Sequence, residues 1–129
     1  MMHIYQKMVF SVFTGNKIET IKNIEMLNSS GISSIEILRV FLKWTISLKI
    51  ACNTYKKTGS VDKAINKSTT YIFWKTKPRF EQSIKLCINL DFDNIIDRLL
   101  VLEQKVKYLP NLDNSILTYS LLRLSKMVA

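Results

Sequence analysis

From Ser34 to Lys57 the chain runs without a glycine or proline and sets its apolar residues at helical spacing in two stripes. One stripe is Ile35, Leu38, Leu42 and Ile46; the other is Ile37, Phe41, Trp44, Leu48, Cys52 and Tyr55. The third side carries Glu36, Arg39, Lys43, Ser47 and Asn53. A helix apolar over most of its circumference has to touch neighbours on two sides, so other elements must wrap around it. Ser33, with Glu36 three residues on, marks its start as a capping box. The charges at Glu36, Arg39, Lys43 and Lys49 interrupt the apolar run and exclude a membrane span. The second stripe, through Phe41, Trp44 and Leu48, is also a candidate for a subunit interface.

Three glycines and two prolines are the only strong breakers in 129 residues, and no segment alternates at period two. The expectation is therefore an all-α fold: one domain over residues 1–129, a compact helical bundle of about six to seven helices. A short helical pattern over Ile4–Phe13 closes at Gly15. Asn16 with Glu19 caps a second helix bearing Ile18, Ile21, Ile24 and Leu27, which ends at Ser29-Ser30-Gly31. Gly59 closes the long helix, and Ser60 caps a short one through about Asn66. The chain is then expected to be extended up to Pro78, because the residue before a proline avoids the α region. Pro78 suits the first position of a helix burying Phe80, Ile84, Cys87 and Ile88. Asp91 or Asp93 caps the next, with Phe92, Ile95, Ile96, Leu99, Leu102, Val106 and Leu109, before Pro110 breaks it. Asp113 or Asn114 starts the last, with Leu117, Leu121, Leu124 and Val128.

Catalytic material is scarce. His3 is the only histidine, which leaves almost nothing for Ser-His or Cys-His nucleophile pairs. Asp93 and Asp97 share a helix face, but their position at a helix start reads as a cap plus a solvated charge. No phosphate-cradling glycine motif and no metal-ligand cluster is present. The expectation is a chain that is not an enzyme, with no catalytic residue, no cofactor and no metal. Cys52 and Cys87 fall among apolar residues and read as reduced core thiols of a soluble, cytoplasmic protein. The net charge of +9 would suit a nucleic acid, an anionic membrane or an acidic protein face. The surplus is almost all lysine, spread along the chain, so AT-rich coding accounts for it better than dedicated phosphate recognition does.

The least generic segment is Gly59–Glu81. It opens Gly-Ser-Val-Asp-Lys-Ala-Ile and continues, after a polar patch, as Tyr-Ile-Phe-Trp-Lys-Thr-Lys-Pro-Arg-Phe-Glu from Tyr71. Tyr71, Phe73 and Trp74 interleaved with Lys75, Lys77 and Arg79 resemble a base-stacking platform beside phosphate-binding charges. The favoured alternative is burial of the rings in the core or an interface, because exposed aromatic clusters are uncommon on isolated domains.

In its order of elements the chain resembles the carboxyl-terminal domain of the bacterial DNA polymerase III delta subunit. The residues that carry the likeness are the glycine and short helix after the long helix, then Phe73, Lys75, Lys77, Pro78 and Phe80. Leu99, Leu100, Glu103 and Lys107 are similar to a Leu-Leu, Glu, Lys pattern of the family's penultimate helix, offset by one. Leu117, Leu121, Leu122 and Leu124 match its leucine-rich last helix. The likeness covers nearly the whole chain, while nothing matches the family's clamp-gripping and nucleotide-fold domains. It implies a clamp-loader collar domain, a non-catalytic assembly module used in DNA replication. The implied partners are the ATPase and delta-prime subunits, with the sliding clamp reached only through domains absent here. DNA contact would be indirect or weak, and membrane contact absent. Phe41, Trp44, Leu48, Phe73, Trp74 and Phe80 are the expected interface or anchor residues. The alternative function is a basic nucleic-acid-binding module using Tyr71–Arg79, with Lys75, Lys77 and Arg79 on the phosphates.

Overall fold

Short-range capping sets where the helices begin. Asn16 accepts a hydrogen bond from the Glu19 amide at 3.1 Å, and Ser33 accepts one from the Glu36 amide at 3.3 Å. Ser60 accepts from the Lys63 amide at 3.2 Å, and Asp91 from the Asn94 amide at 3.1 Å. Each such cap satisfies an amide that the helix itself cannot, a contribution of about 0.5–2 kcal/mol. The computed structural model describes residues 2–68, 72 and 74–129. Among these residues there are seven α-helices and no strand: α1 (Met2–Phe13), α2 (Lys17–Ser29), α3 (Ser34–Thr58), α4 (Val61–Ser68), α5 (Lys77–Leu86), α6 (Phe92–Tyr108) and α7 (Asp113–Val128). The protein is an all-α bundle.

The chain leaves α3 at Gly59, whose φ of +69° is a left-handed cap that an L side chain resists. At Gly15 the φ is +75°, and a Cβ there would sit 2.9 Å from the Ala129 Cβ. This glycine serves both the turn and the close approach of the end of α7.

The long helix α3 is central, touching each of the other six helices. Its second stripe is the enclosed one: Ile37, Phe41, Leu48 and Cys52 are buried. The first stripe is a flank, with Leu38 buried, Ile35 and Leu42 half-buried, and Ile46 exposed. A second element is enclosed as fully. From Met8 to Phe13 every residue of α1 is buried, because α2, α3, α5 and α7 surround it. Its two phenylalanines tie the bundle together. Phe13 stacks on Phe41 of α3 at 5.3 Å, and Phe10 stacks on Phe80 of α5 at 5.0 Å. Trp44 meets both Phe10 and Phe80 edge-on, at 5.6 and 6.0 Å. Edge-to-face and stacked pairs contribute about 0.5–1.5 kcal/mol each beyond the area they bury.

Two expectations need correction. The stripe on α2 does not face inward as a unit: Ile18 is exposed and Ile21 half-buried, while Thr20, Asn23, Ile24 and Leu27 form the buried side. The rotation lets the Thr20 hydroxyl meet the Ser11 hydroxyl of α1 at 2.9 Å. Nor is the chain extended immediately before Pro78. Residues 74–76 form a turn, Thr76 has φ −97° and ψ −9°, and α5 already includes Lys77, with Pro78 one place further in. The reason is tertiary. The Thr76 side chain is buried and donates to Gln6 Oε1 of α1 at 2.6 Å, which draws the turn down onto the bundle and outweighs the local preference. Tyr71 and Phe73 lie outside the described residues.

Candidate interaction surfaces

Helix α6 carries Leu99, Leu100, Val101 and Leu102 in succession, and four neighbours cannot all face one side of a helix. Leu99 and Leu102 are buried, leaving Leu100 and Val101 at the surface. Leu99, Val101 and Leu102, together with α7, shape a groove of about 880 Å³, which Leu100 does not line. Ile95, Leu99, Leu102 and Leu124 form its floor, and Val101, Leu109, Tyr119 and Met127 its exposed apolar walls. Arg98, Lys105 and Arg123 stand at its edge against a single acid, Asp97, and the Arg123 guanidinium lies over the Tyr119 ring at 5.8 Å. The run of four apolar residues on α6 was the available signal for this face; the sequence alone does not say which of them turn outward.

The segment from Trp74 to Arg79 makes a second, smaller surface. Trp74 is 71% exposed, so of its expected role as interface or anchor residue, anchoring in the core is overturned and a place on an interface is left. The turn at 74–76 buries Thr76 instead and leaves the indole outside. Lys75 holds its ammonium over the Trp74 ring at 5.3 Å, and Lys77 is exposed beside them. Arg79 is directed elsewhere: both of its terminal nitrogens donate to the Glu19 carboxylate of α2. Those hydrogen bonds hold the Glu19 carboxyl below its usual range against the opposing effect of partial burial. Arg79 is thus an inter-helix clamp, which removes it from the phosphate-contact set.

The remaining expected site residues divide clearly. Phe41, Leu48 and Phe80 have no exposed surface, so they are core residues that no partner can touch in the folded domain. Trp44 is half-buried against Phe10 and Phe80 and keeps part of its ring accessible. Phe73 lies outside the described residues. Of the acids, Asp93 pairs with Lys49 at 2.6 Å across α6 and α3, whereas Asp97 faces the groove. Burial pushes the Cys52 and Cys87 thiols up to about 12, and both donate to backbone carbonyls, of Ile84 and Phe13. They are inert core thiols. Among the described residues no group of three or more His, Cys, Asp and Glu could hold a metal ion, and no helix is long and apolar enough to cross a membrane.

No protein family, curated protein or solved structure matches this chain.

Proposed function

We propose that the chain is a non-catalytic assembly module of the bacterial clamp loader, a collar domain of the DNA polymerase III delta type, and that it joins its neighbours through the α6–α7 groove. The observation that carries this reading is the apolar groove itself. Val101, Tyr119 and Met127 are each more than half exposed and line this one groove together. Contiguous apolar surface of this kind on a small domain is typical of an interaction site. Its apolar floor and charged edge match the core-and-rim anatomy of protein interfaces. The order of helices and the Gly59–Glu81 segment support the choice of family.

The test is co-purification with the ATPase and delta-prime subunits, using the wild-type chain and a Val101→Lys, Met127→Lys variant. Both positions are at the surface, so the variant should melt within a few degrees of wild type. Co-elution of wild type but not the variant is expected. Wild type that captures no subunit would sink the family reading. A variant that still co-elutes would move the interface away from this groove.

One observation favours a second reading, direct nucleic-acid binding. The exposed Trp74 ring beside Lys75 and Lys77 has the aromatic and cationic parts of a base-stacking surface. It predicts affinity that falls steeply with salt and drops on Trp74→Ala. Salt-insensitive or undetectable binding to single-stranded oligonucleotides would remove it.

A further inference from the structure

Where the end of α3 meets α4, the surface folds into a concavity of about 520 Å³. Lys57 lines it from α3, and Lys63 and Lys67 from α4; Ile50, Asn53, Thr54 and Thr58 complete the wall, and no acidic residue lines it. Among the described residues the ion pairs join Arg39 to Glu103, Lys49 to Asp93 and Arg79 to Glu19, so none of the three lysines is neutralised by a carboxylate.

Helix-terminus electrostatics account for part of this. Lys57 lies in the last turn of α3 and Lys67 in the last turn of α4, where a cation offsets the carboxyl-end dipole. They do not account for Lys63, one turn earlier and four residues from Lys67, where like charges repel. Nor do they explain why three lysines line one hollow. The dipole at the end of α3 amounts to roughly half a negative charge, far less than three positive ones.

The hydrogen-bonding capacity of the wall is also one-sided. The Thr54 and Thr58 hydroxyls already donate to the Ile50 and Thr54 carbonyls, at 2.9 and 2.8 Å. The donors left for a ligand are the lysine ammoniums and the exposed Asn53 carboxamide. A compact, multiply charged ligand made of acceptors fits such a wall, and lysine binds phosphate as a point charge. The volume is within the range of small-ligand sites, about 300–1,000 Å³.

We infer that this hollow is a binding site for a phosphate group, held by Lys57, Lys63 and Lys67 with Asn53. It shares no residue with the α6–α7 groove or with the Trp74 surface, so it stands independently of the proposed function. The phosphate belongs either to a small free anion or to a phosphodiester backbone, and two probes separate these sources.

The experiment is an amide-resolved NMR titration of the whole chain at low salt, with sodium pyrophosphate in one arm and a short oligothymidylate in the other. Shifts centred on Asn53–Thr58 and Lys63–Lys67 are expected in at least one arm. Pyrophosphate binding identifies a free-anion site; a response to the oligonucleotide alone identifies a backbone site. A Lys57→Gln, Lys63→Gln, Lys67→Gln variant loses at least about tenfold in affinity, as removal of several charge-assisted contacts requires. A charge-matched variant, Lys22→Gln, Lys43→Gln, Lys85→Gln, should lose no more than about threefold, the share due to overall charge. Equal losses in the two variants, shifts scattered over all lysines, or no response in either arm would each overturn the site. All the substituted lysines are exposed, and the spectra themselves report whether each variant is folded.

Discussion

Phe80→Ala probes the contact that ties α5 to the bundle. Phe80 has no exposed surface, stacks on Phe10 with ring centroids 5.0 Å apart, and meets the edge of Trp44 at 6.0 Å. Truncating a buried phenylalanine costs about 3–5 kcal/mol, the sum of lost transfer energy and the cavity left behind. Two ring contacts are lost as well, which places the expected value in the upper half, about 4–5 kcal/mol. Domains of this size hold about 5–15 kcal/mol in all, so the variant folds with little margin or not at all. The assay is urea unfolding followed by far-ultraviolet circular dichroism and tryptophan fluorescence. With an m-value of about 2 kcal/mol/M, the midpoint should fall by roughly 2 M. Trp74→Ala is the control: its ring is 71% exposed, so its effect should stay within about 0.5 kcal/mol. A loss below about 1.5 kcal/mol for Phe80→Ala at unchanged m would refute the aromatic-anchor account. Equal losses for the two variants would refute the outward placement of Trp74.

Three further outcomes follow from the same structure. Arg79 lowers the folded-state pKa of Glu19, so the pair contributes stability above the ordinary carboxylate pKa of about 4.3 and loses it as pH falls through the lowered folded value. Glu19→Gln should therefore be less stable than wild type at pH 7, by up to about 1 kcal/mol for a partly exposed pair, with the gap closing in acid; a gap constant from pH 7 to 3 in urea titrations would exclude the pair as its source. Cys52 and Cys87, buried and pushed up to about 12, should resist thiol reagents at pH 8 in the native protein and react at once in urea, so rapid native labelling would contradict their enclosure. Gly15→Ala and Gly59→Ala both force a left-handed residue, at about 1–2 kcal/mol each, but only Gly15 also meets Ala129. Gly15→Ala should lower the melting temperature more, and equal shifts would mean that the end of α7 does not pack there.

Much of the fold was legible because it rests on short-range chemistry. The caps at Asn16, Ser33 and Ser60 act over three residues, and the glycine turns act over one or two, so spacing alone locates them; for α6 it left Asp91 and Asp93 both open, and the cap is Asp91. The bundle's less legible parts depend on partners far along the chain. Glu19 and Arg79 are separated by sixty residues, and Gln6 and Thr76 by seventy. The second pair overrides the extended conformation expected before Pro78. The candidate surfaces were only half legible for the same reason. Tyr119 and Met127 fall outside the leucine stripe of the last helix, and only the packing of α6 against α7 makes them walls of a groove.

By itself the sequence determined the class of fold, the number of helices and most of their ends, since helical period, caps and breakers are properties of neighbouring residues. It also determined that α3 must be central, since a helix apolar on two sides has no other place. Only the tertiary structure decided that α1 is enclosed as fully, that Ile18, Val101 and Trp74 face outward, and that Lys57, Lys63 and Lys67 share one hollow. A stripe gives a direction relative to its own helix axis. Whether that direction ends in core, interface or water depends on how much of the stripe a neighbouring helix covers, which is a property of the assembled bundle.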